Sequence, residues 1–223
     1  MGELTDAWTW LTTGSHWSGE SGAGHRLAQH LTVSGIAFAL ACLIALPVAL
    51  RLGHIGRGGA LAVNLSNAGR AIPTFAVLAL LLLTPLRSYG DLPTVIALVL
   101  FAVPPLLTNA YTGMREVDRS VVEAARGMGM SGRQLFLRVE LPLAYPLIMT
   151  GLRSAAVQVI ATATLAAMTG GGGLGRIITA GFNTYDTAQV VAGALLVAAL
   201  ALVVEGLLVA ADRLLDPRRR AAA

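Results

Sequence analysis

Residues 31–50 read LTVSGIAFALACLIALPVAL, an apolar run without one charged side chain, and Arg51 closes it. Twenty helical residues rise about 30 Å, the thickness of a bilayer's hydrocarbon core. Four further runs share this character, at 60–86, 92–114, 141–169 and 187–211. Their interruptions are few: Arg70 in the second run, Pro104 and Pro105 in the third, Arg153 in the fourth and Glu205 near the end of the fifth. Neighbouring helices in a membrane bundle re-satisfy the carbonyls that such prolines free. Composition agrees, since 55% of the 223 residues are hydrophobic, 13% are charged and the mean hydropathy is +0.69. A soluble domain of this length carries more charge. The expectation is an all-α integral membrane protein with about five transmembrane helices.

Charge then orients the spans. All 16 basic residues are arginine. Eleven of them (51, 57, 115, 119, 126, 133, 138, 213, 218, 219 and 220) fall on one side of the five-span arrangement, and 26, 87 and 176 fall on the other. The positive-inside rule makes the first side cytoplasmic. The N-terminus is then outside, the C-terminus inside and the loop 115–142 cytoplasmic. This placement also accounts for a pI near 10 without a nucleic acid partner. Glu3 and Asp6 stand where a cleavable signal would be basic. Residues 1–26 are therefore expected to form an extracytoplasmic arm, with Trp8, Trp10 and Trp17 as candidates for the outer interface. Cys42 is the one cysteine and lies inside the 31–50 run, where a small packing side chain is the plain reading.

The most informative polar segment is 117–142, VDRSVVEAARGMGMSGRQLFLRVELP. Val121, Val122, Ala125 and Met128 recur at helical spacing among Arg119, Glu123 and Arg126, which predicts a short amphipathic helix. Gly127, Gly129 and Gly132 predict its stop and a turn. A second short helix at 133–139 then leads through Leu141 and Pro142 into the next span. Helix, glycine turn and helix on the cytoplasmic face make a knob suited to a groove on a soluble partner.

Here the sequence resembles a known family. Glu123-Ala124-Ala125, then Gly129, then Val139 followed by Leu141-Pro142, looks like the EAA loop of binding-protein-dependent ABC importer permeases, with Val139 where isoleucine is usual. Ala71-Ile72-Pro73, Thr108-Asn109, residues 158–164 and residues 170–175 resemble the glycine betaine/carnitine/choline/proline permeases. The resemblance implies the type I importer permease fold, like that of methionine importers, in a bacterial plasma membrane. Residues 27–215 would be the multi-pass permease domain, with 115–142 its cytoplasmic coupling loop, and 216–223 a basic cytoplasmic tail. Implied partners are cytoplasmic ABC ATPase subunits that bind the ATP, a second permease subunit (a copy or a paralogue), an extracytoplasmic substrate-binding protein and membrane lipid. The chain itself would bind no cofactor and would be a transport subunit, not an enzyme. By the same resemblance Glu123, Ala124, Ala125, Gly129, Val139, Leu141 and Pro142 form the ATPase-coupling loop. Glu123 would pair with an arginine at that interface or cap the turn behind it, or it is a solvated helix residue. The implied cargo is a compatible solute. The same architecture also serves methionine, another amino acid or another betaine, and a self-sufficient secondary transporter or channel is the rival from a different class.

Polar residues inside the spans are candidates for lining a passage: Thr74, Thr108, Asn109, Gln158, Thr162 and Thr164. Each could equally hydrogen-bond a neighbouring helix. Arg70, Arg153 and Glu205 are costly against lipid. The two arginines could sit near the cytoplasmic surface if their segments begin as interfacial helices, and Glu205 is read as paired internally with one of them, a proton relay being the alternative. Residues 170–175 are expected to end the fourth span and let 176–182 fold back as an outer gate, or to be an ordinary flexible loop. The G-x-G-x-x-G at 127–132 lacks the strand of a dinucleotide site, and the glycine run lacks the Lys-Ser/Thr of a phosphate loop. His16, His25, His30 and His54 lack ligand spacing, and no nucleophile–base pair stands out.

Overall fold

The computed structural model describes residues 2–69 and 71–216. The expectations for Arg70 and for the basic tail at 217–223 fall outside the described residues. A short helix, α1 (Gly2–Thr12), is followed by α2 (Ala23–Ile55), which contains the 31–50 run and begins eight residues before it. The helix ends where Gly56 takes a left-handed conformation (φ 75°) and its N–H bonds back to the Leu52 carbonyl.

The 60–86 run is not one helix. It forms α3 (Gly59–Gly69) and α4 (Thr74–Leu82), of 11 and 9 residues. Pro73 is the reason on the α4 side. It lacks an N–H and pushes the preceding residue out of the helical region, and it sits in extended backbone (φ −61°, ψ 125°) as the cap of α4. Pro104 and Pro105 behave differently. They are buried inside an unbroken α5 (Leu92–Arg115). The segment 117–142 opens with α6 (Arg119–Gly127) and α7 (Gly132–Leu135). A π-helical turn at Phe136–Glu140 joins α7 to α8 (Leu141–Ala163), and a 3-10 turn at Thr164–Thr169 ends it. After the glycine run come α9 (Gly175–Thr184) and α10 (Thr187–Leu215). Among the described residues four helical stretches are long and apolar enough to cross a membrane: Ala23–Ile55, Leu92–Arg115, Gly132–Thr169 and Thr187–Leu215.

Helices α2, α5 and α8 form the centre. Ala37, Ala41, Ala45 and Ala49 of α2 are all 0% exposed and share one cluster with Leu98, Ala102, Leu106, Ala110 and Met114 of α5. Both stripes repeat every four residues, so each is a single helix face. Lipid tails are as apolar as leucine, so such helices associate through close van der Waals packing, which small side chains permit. The same logic governs α5 against α8. A Cβ on Gly113 would lie 2.9 Å from the Ala144 carbonyl oxygen, and one on Gly151 would lie 2.9 Å from Asn109 Cβ. In contrast, α10 buries little of its surface, and it packs on α1, α8 and α9. The N-terminal arm is folded rather than extended. Trp10 stacks on His16 (4.4 Å between ring centroids) and packs beside Ala23, Leu174, Ile177 and Val197, while Trp8 is exposed.

Widening the α2–α5 or the α5–α8 contact should be costly. Ala41→Leu or Gly151→Leu is expected to destabilise the folded chain by about 1–3 kcal/mol through overpacking, lowering its thermal midpoint in detergent. Leu43→Ala, on the exposed side of α2, is the control that should leave the midpoint in place. Equal midpoints for all three would show that these faces do not set the packing.

Candidate functional site

The knob is built from its caps inward. Asp118 accepts hydrogen bonds from the Ser120 backbone N–H (2.8 Å) and hydroxyl (2.9 Å), starting α6. The backbone bond first, then the hydroxyl, holds the exposed Asp118 carboxyl below its ordinary value. Val122 and Ala125 point inward onto Val117, Met114 and Leu135. Gly129 supplies the left-handed turn (φ 82°), and the Met130 N–H reaches back to the Ala125 carbonyl at 3.2 Å. Ser131 and Gln134 then form a capping box on α7.

Two details differ from the amphipathic reading. Of its four apolar positions the structure buries Val122 and Ala125, whereas Val121 is 42% and Met128 75% exposed. With Ala124 between them, 121, 124 and 128 make an apolar stripe on the outer face of α6. Glu123 is exposed and has no hydrogen bond or ion pair among the described residues, so it does not cap the turn behind it. Of the three loop glycines, Gly129 carries the positive φ, while Gly127 closes α6 and Gly132 opens α7.

At the other end of the loop, Val139 and Leu141 are half-buried against the central cluster. Pro142 has no N–H to give. The helix widens ahead of it, so that the Leu141 N–H bonds to the Phe136 carbonyl, five residues back. Between them Glu140 is only 2% exposed. A buried carboxyl needs a partner, and His54, in the last turn of α2, supplies it through Nδ1. Phe136 packs edge-on against the same imidazole (5.4 Å, 75°). Neither His54 nor Glu140 was among the expected site residues. The available signal was an acidic residue between Val139 and Leu141-Pro142 at the start of an apolar span.

The candidate passage residues do not converge. Gln158 alone among them lines a cavity of about 570 Å³ between α8 and α10, together with Thr150, Arg153, Ser154 and Glu205. Thr108 and Asn109 sit on α5, where the Asn109 amide donates to the Pro105 carbonyl (2.8 Å) and Thr108 Oγ1 is buried without a partner among the described residues. Thr164 Oγ1 donates to the Ala161 carbonyl (2.7 Å), Thr162 is half-buried on α8, and Thr74 opens α4. Glu205 pairs with Arg153, as the internal-pair reading expects, and Arg153 Nε donates to its Oε1 at 2.9 Å. Arg153 lies twelve residues after Leu141 and ten before Ala163 in a continuous helix, about 15 Å or more from either end of α8.

The glycine run is a pinned turn, not a loose loop. Gly170 and Gly173 adopt positive φ (91° and 85°), and Arg176 donates to the carbonyls of Gly171 (2.8 Å) and Gly170 (2.9 Å). Gln29 accepts from the Gly173 N–H (3.1 Å), and buried His30 accepts from the Leu174 N–H at Nδ1 (3.3 Å). His30 Nε2 therefore carries the proton and donates to the Ile160 carbonyl (3.0 Å). A Cβ on Gly172 would stand 2.6 Å from the amide oxygen of Gln29, so the Gln29 side chain would have to shift. Beyond this turn α9 folds back onto α10.

Comparison with known proteins places this arrangement. The model of the family described as "Binding-protein-dependent transport system inner membrane component" matches residues 33–221. The chain belongs to that family. This permease is 37% identical to the choline transport system permease protein OpuBB of Bacillus subtilis (strain 168), over 86% of this chain and 88% of that protein. It is 39% identical to the carnitine transport permease protein OpuCB of Listeria monocytogenes, over 82% and 84% of the two chains. It is 32% identical to the osmoprotectant import permease protein OsmY of Salmonella typhimurium, over 85% and 80%. The permease shares its fold with a chain of the inward-facing MetNI methionine ABC transporter, with a TM-score of 0.75 at 20% identity over 86% of this chain and 94% of that one. The type I importer fold and the inner-membrane location implied by the resemblance therefore hold, and the permease is a transport subunit.

His54→Ala should leave Glu140 buried without its donor, a loss of about 1–3 kcal/mol at the loop exit. The expected readout is faster trypsin cleavage after Arg133 and Arg138 in the detergent-solubilised permease, with Glu140→Leu in the same chain restoring protection. Unchanged cleavage in His54→Ala would show that the pair does not hold the loop.

Proposed function

We propose that this permease forms, with a second permease subunit, the membrane passage of an ATP-driven importer for compatible solutes of the glycine betaine, choline, carnitine or proline type. The observation that carries the reading is the extent of likeness to permeases named for choline and carnitine transport, which spans more than four-fifths of both chains. An extracytoplasmic binding protein would deliver the solute, and cytoplasmic ABC ATPases would power its release inward. The membrane topology that fits is an outer N-terminus and a cytoplasmic C-terminus, with α3 and α4 together making the fifth crossing as a broken helix. Arginines at 115, 119, 126, 133 and 138 around the knob support that orientation.

In this reading α6 docks in a cleft of the ATPase. Its outer stripe, Val121, Ala124 and Met128, offers apolar contact, and the unpaired Glu123 beside it offers a carboxylate for a basic partner. Closure of the ATPase dimer on ATP would draw two knobs together. The displacement would reach the passage as rigid-body motion through α5 and α8, which flank the knob.

The test is uptake of labelled glycine betaine at raised osmolarity by native-host cells. Strains would carry a deletion of this gene, complemented with wild type, Glu123→Arg or Gly129→Trp. Wild type should restore uptake, and both variants should fail while reaching the membrane in normal amount. Gly129→Trp acts through its positive φ, which a side chain tolerates poorly. Uptake by a correctly inserted Glu123→Arg chain would remove the coupling role. No change on deletion would remove glycine betaine as the main cargo.

A further inference from the structure

We propose that the groove between α8 and α10, centred on Arg153 and Glu205, is a water-filled stretch of the passage and a transit site for a small solute bearing both an onium group and a carboxylate. The solute class rests on the osmoprotectant reading above; the water-filled groove does not.

The first observation is depth. Glu205 lies ten residues before the end of α10, and Arg153 lies in the middle of α8. Arg153 therefore stands about 15 Å or more from either end of α8, and Glu205 about 15 Å from the nearer end of α10, inside helices that cross a bilayer whose hydrocarbon is about 30 Å thick. The second is exposure. Their side chains remain 34% and 30% accessible. Charges at that depth against lipid are expensive, and intramembrane ionisable residues face cavities or protein instead. The third is the setting. Thr150, Ser154 and Gln158 follow one another at intervals of four along the same side of α8 and line the same cavity of about 570 Å³.

The opposite flank of α10 supplies the contrast. There a smaller groove of about 140 Å³ is walled by Phe38, Val159, Ile160, Val204 and Leu208. Lipid chains suit that wall. They do not suit the Arg153 side, so one face of the α8–α10 pair belongs to lipid and the other to water.

The chemistry selects the solute. Arg153 spends Nε and Nη2 on a single oxygen, Oε1 of Glu205. Among the described residues no hydrogen bond engages Arg153 Nη1 or Glu205 Oε2. A guanidinium presents a planar fork to a carboxylate, and a carboxylate attracts an onium group that has no proton to share. A zwitterion entering the groove exchanges partners with the pair: its carboxylate to Arg153, its onium to Glu205. Net charge stays zero throughout, so no unpaired charge is left inside the membrane. Because the pair re-forms behind the solute, the site releases as easily as it captures, which passage requires.

The experiment uses the complete importer in permeabilised native-host cells. In a Cys42→Ser background, single cysteines replace Ser154, Gln158 or, on the lipid wall, Val204. The probe is a methanethiosulfonate carrying a trimethylammonium group. Labelling at 154 and 158 but not at 204, slowed by glycine betaine, is the expected result. Absence of labelling at both 154 and 158 would overturn the water-filled groove, because the second permease half or lipid then covers it. Labelling that none of glycine betaine, carnitine or proline slows would overturn the transit site. Separately, Arg153→Gln/Glu205→Gln leaves no unpaired charge and should assemble normally, yet lose glycine betaine uptake roughly tenfold, or about 1.4 kcal/mol. The swapped pair, Arg153→Glu/Glu205→Arg, should not recover it. Wild-type uptake by either double variant would reduce the pair to a brace and overturn the proposal. Failure of the wild type to import glycine betaine, carnitine or proline, with 154 and 158 still labelled, would sink the solute class and leave the groove standing.

Discussion

Close approach of α2, α5 and α8 through small side chains is the constraint on which the rest of the structure depends. A hydrocarbon solvent rewards no apolar contact over another, so helices hold together where their backbones come near enough for dense packing. Alanine every fourth residue on α2, from 37 to 49, and the glycines at 113 and 151 provide that nearness. With the three helices locked, the end of α5 and the start of α8 are set at a fixed separation. The segment between them must form a compact protrusion, and α6 does so by laying Val122 and Ala125 over Met114, Val117 and Leu135.

The protrusion is tied twice to the membrane core. One tie is covalent and helical, since α7 runs through a π turn into α8 without a break in helical structure. The other is polar. Glu140, buried by that run, is held by His54 from the end of α2. On the proposed reading, a force on α6 cannot be absorbed locally, because α2 and α8 are both attached to the loop's exit. Helix α8 also carries Arg153 in its middle, so the element that would receive the motion is the element that lines the polar groove.

Much of this was legible in the residues. Long apolar runs with at most one charge announced the four membrane-length helices among the described residues, because a bilayer demands length and apolarity and little else. The knob was legible for a different reason, its local chemistry of caps and glycines, which acts over a few residues. The Arg153–Glu205 pair followed from the cost of leaving a charge in lipid. The break at Pro73 was less legible, since Pro104 and Pro105 pass through an equally apolar helix intact. Periodicity also misplaced Val121 and Met128, because an apolar stripe on a short helix looks the same whether it meets its own core or awaits a partner.

Sequence alone determined the class of solvent, the helical class, the helix–turn–helix knob and the family, since each is written in short-range pattern or composition. Tertiary structure decided which polar groups meet. His54 and Glu140 are 86 residues apart, Arg153 and Glu205 are 52 apart, and His30 meets Leu174 across 144. Such pairs depend on how helices of near-identical hydropathy rotate and register against one another. That choice is made by the fit of alanines and glycines across helix faces, which no single segment encodes.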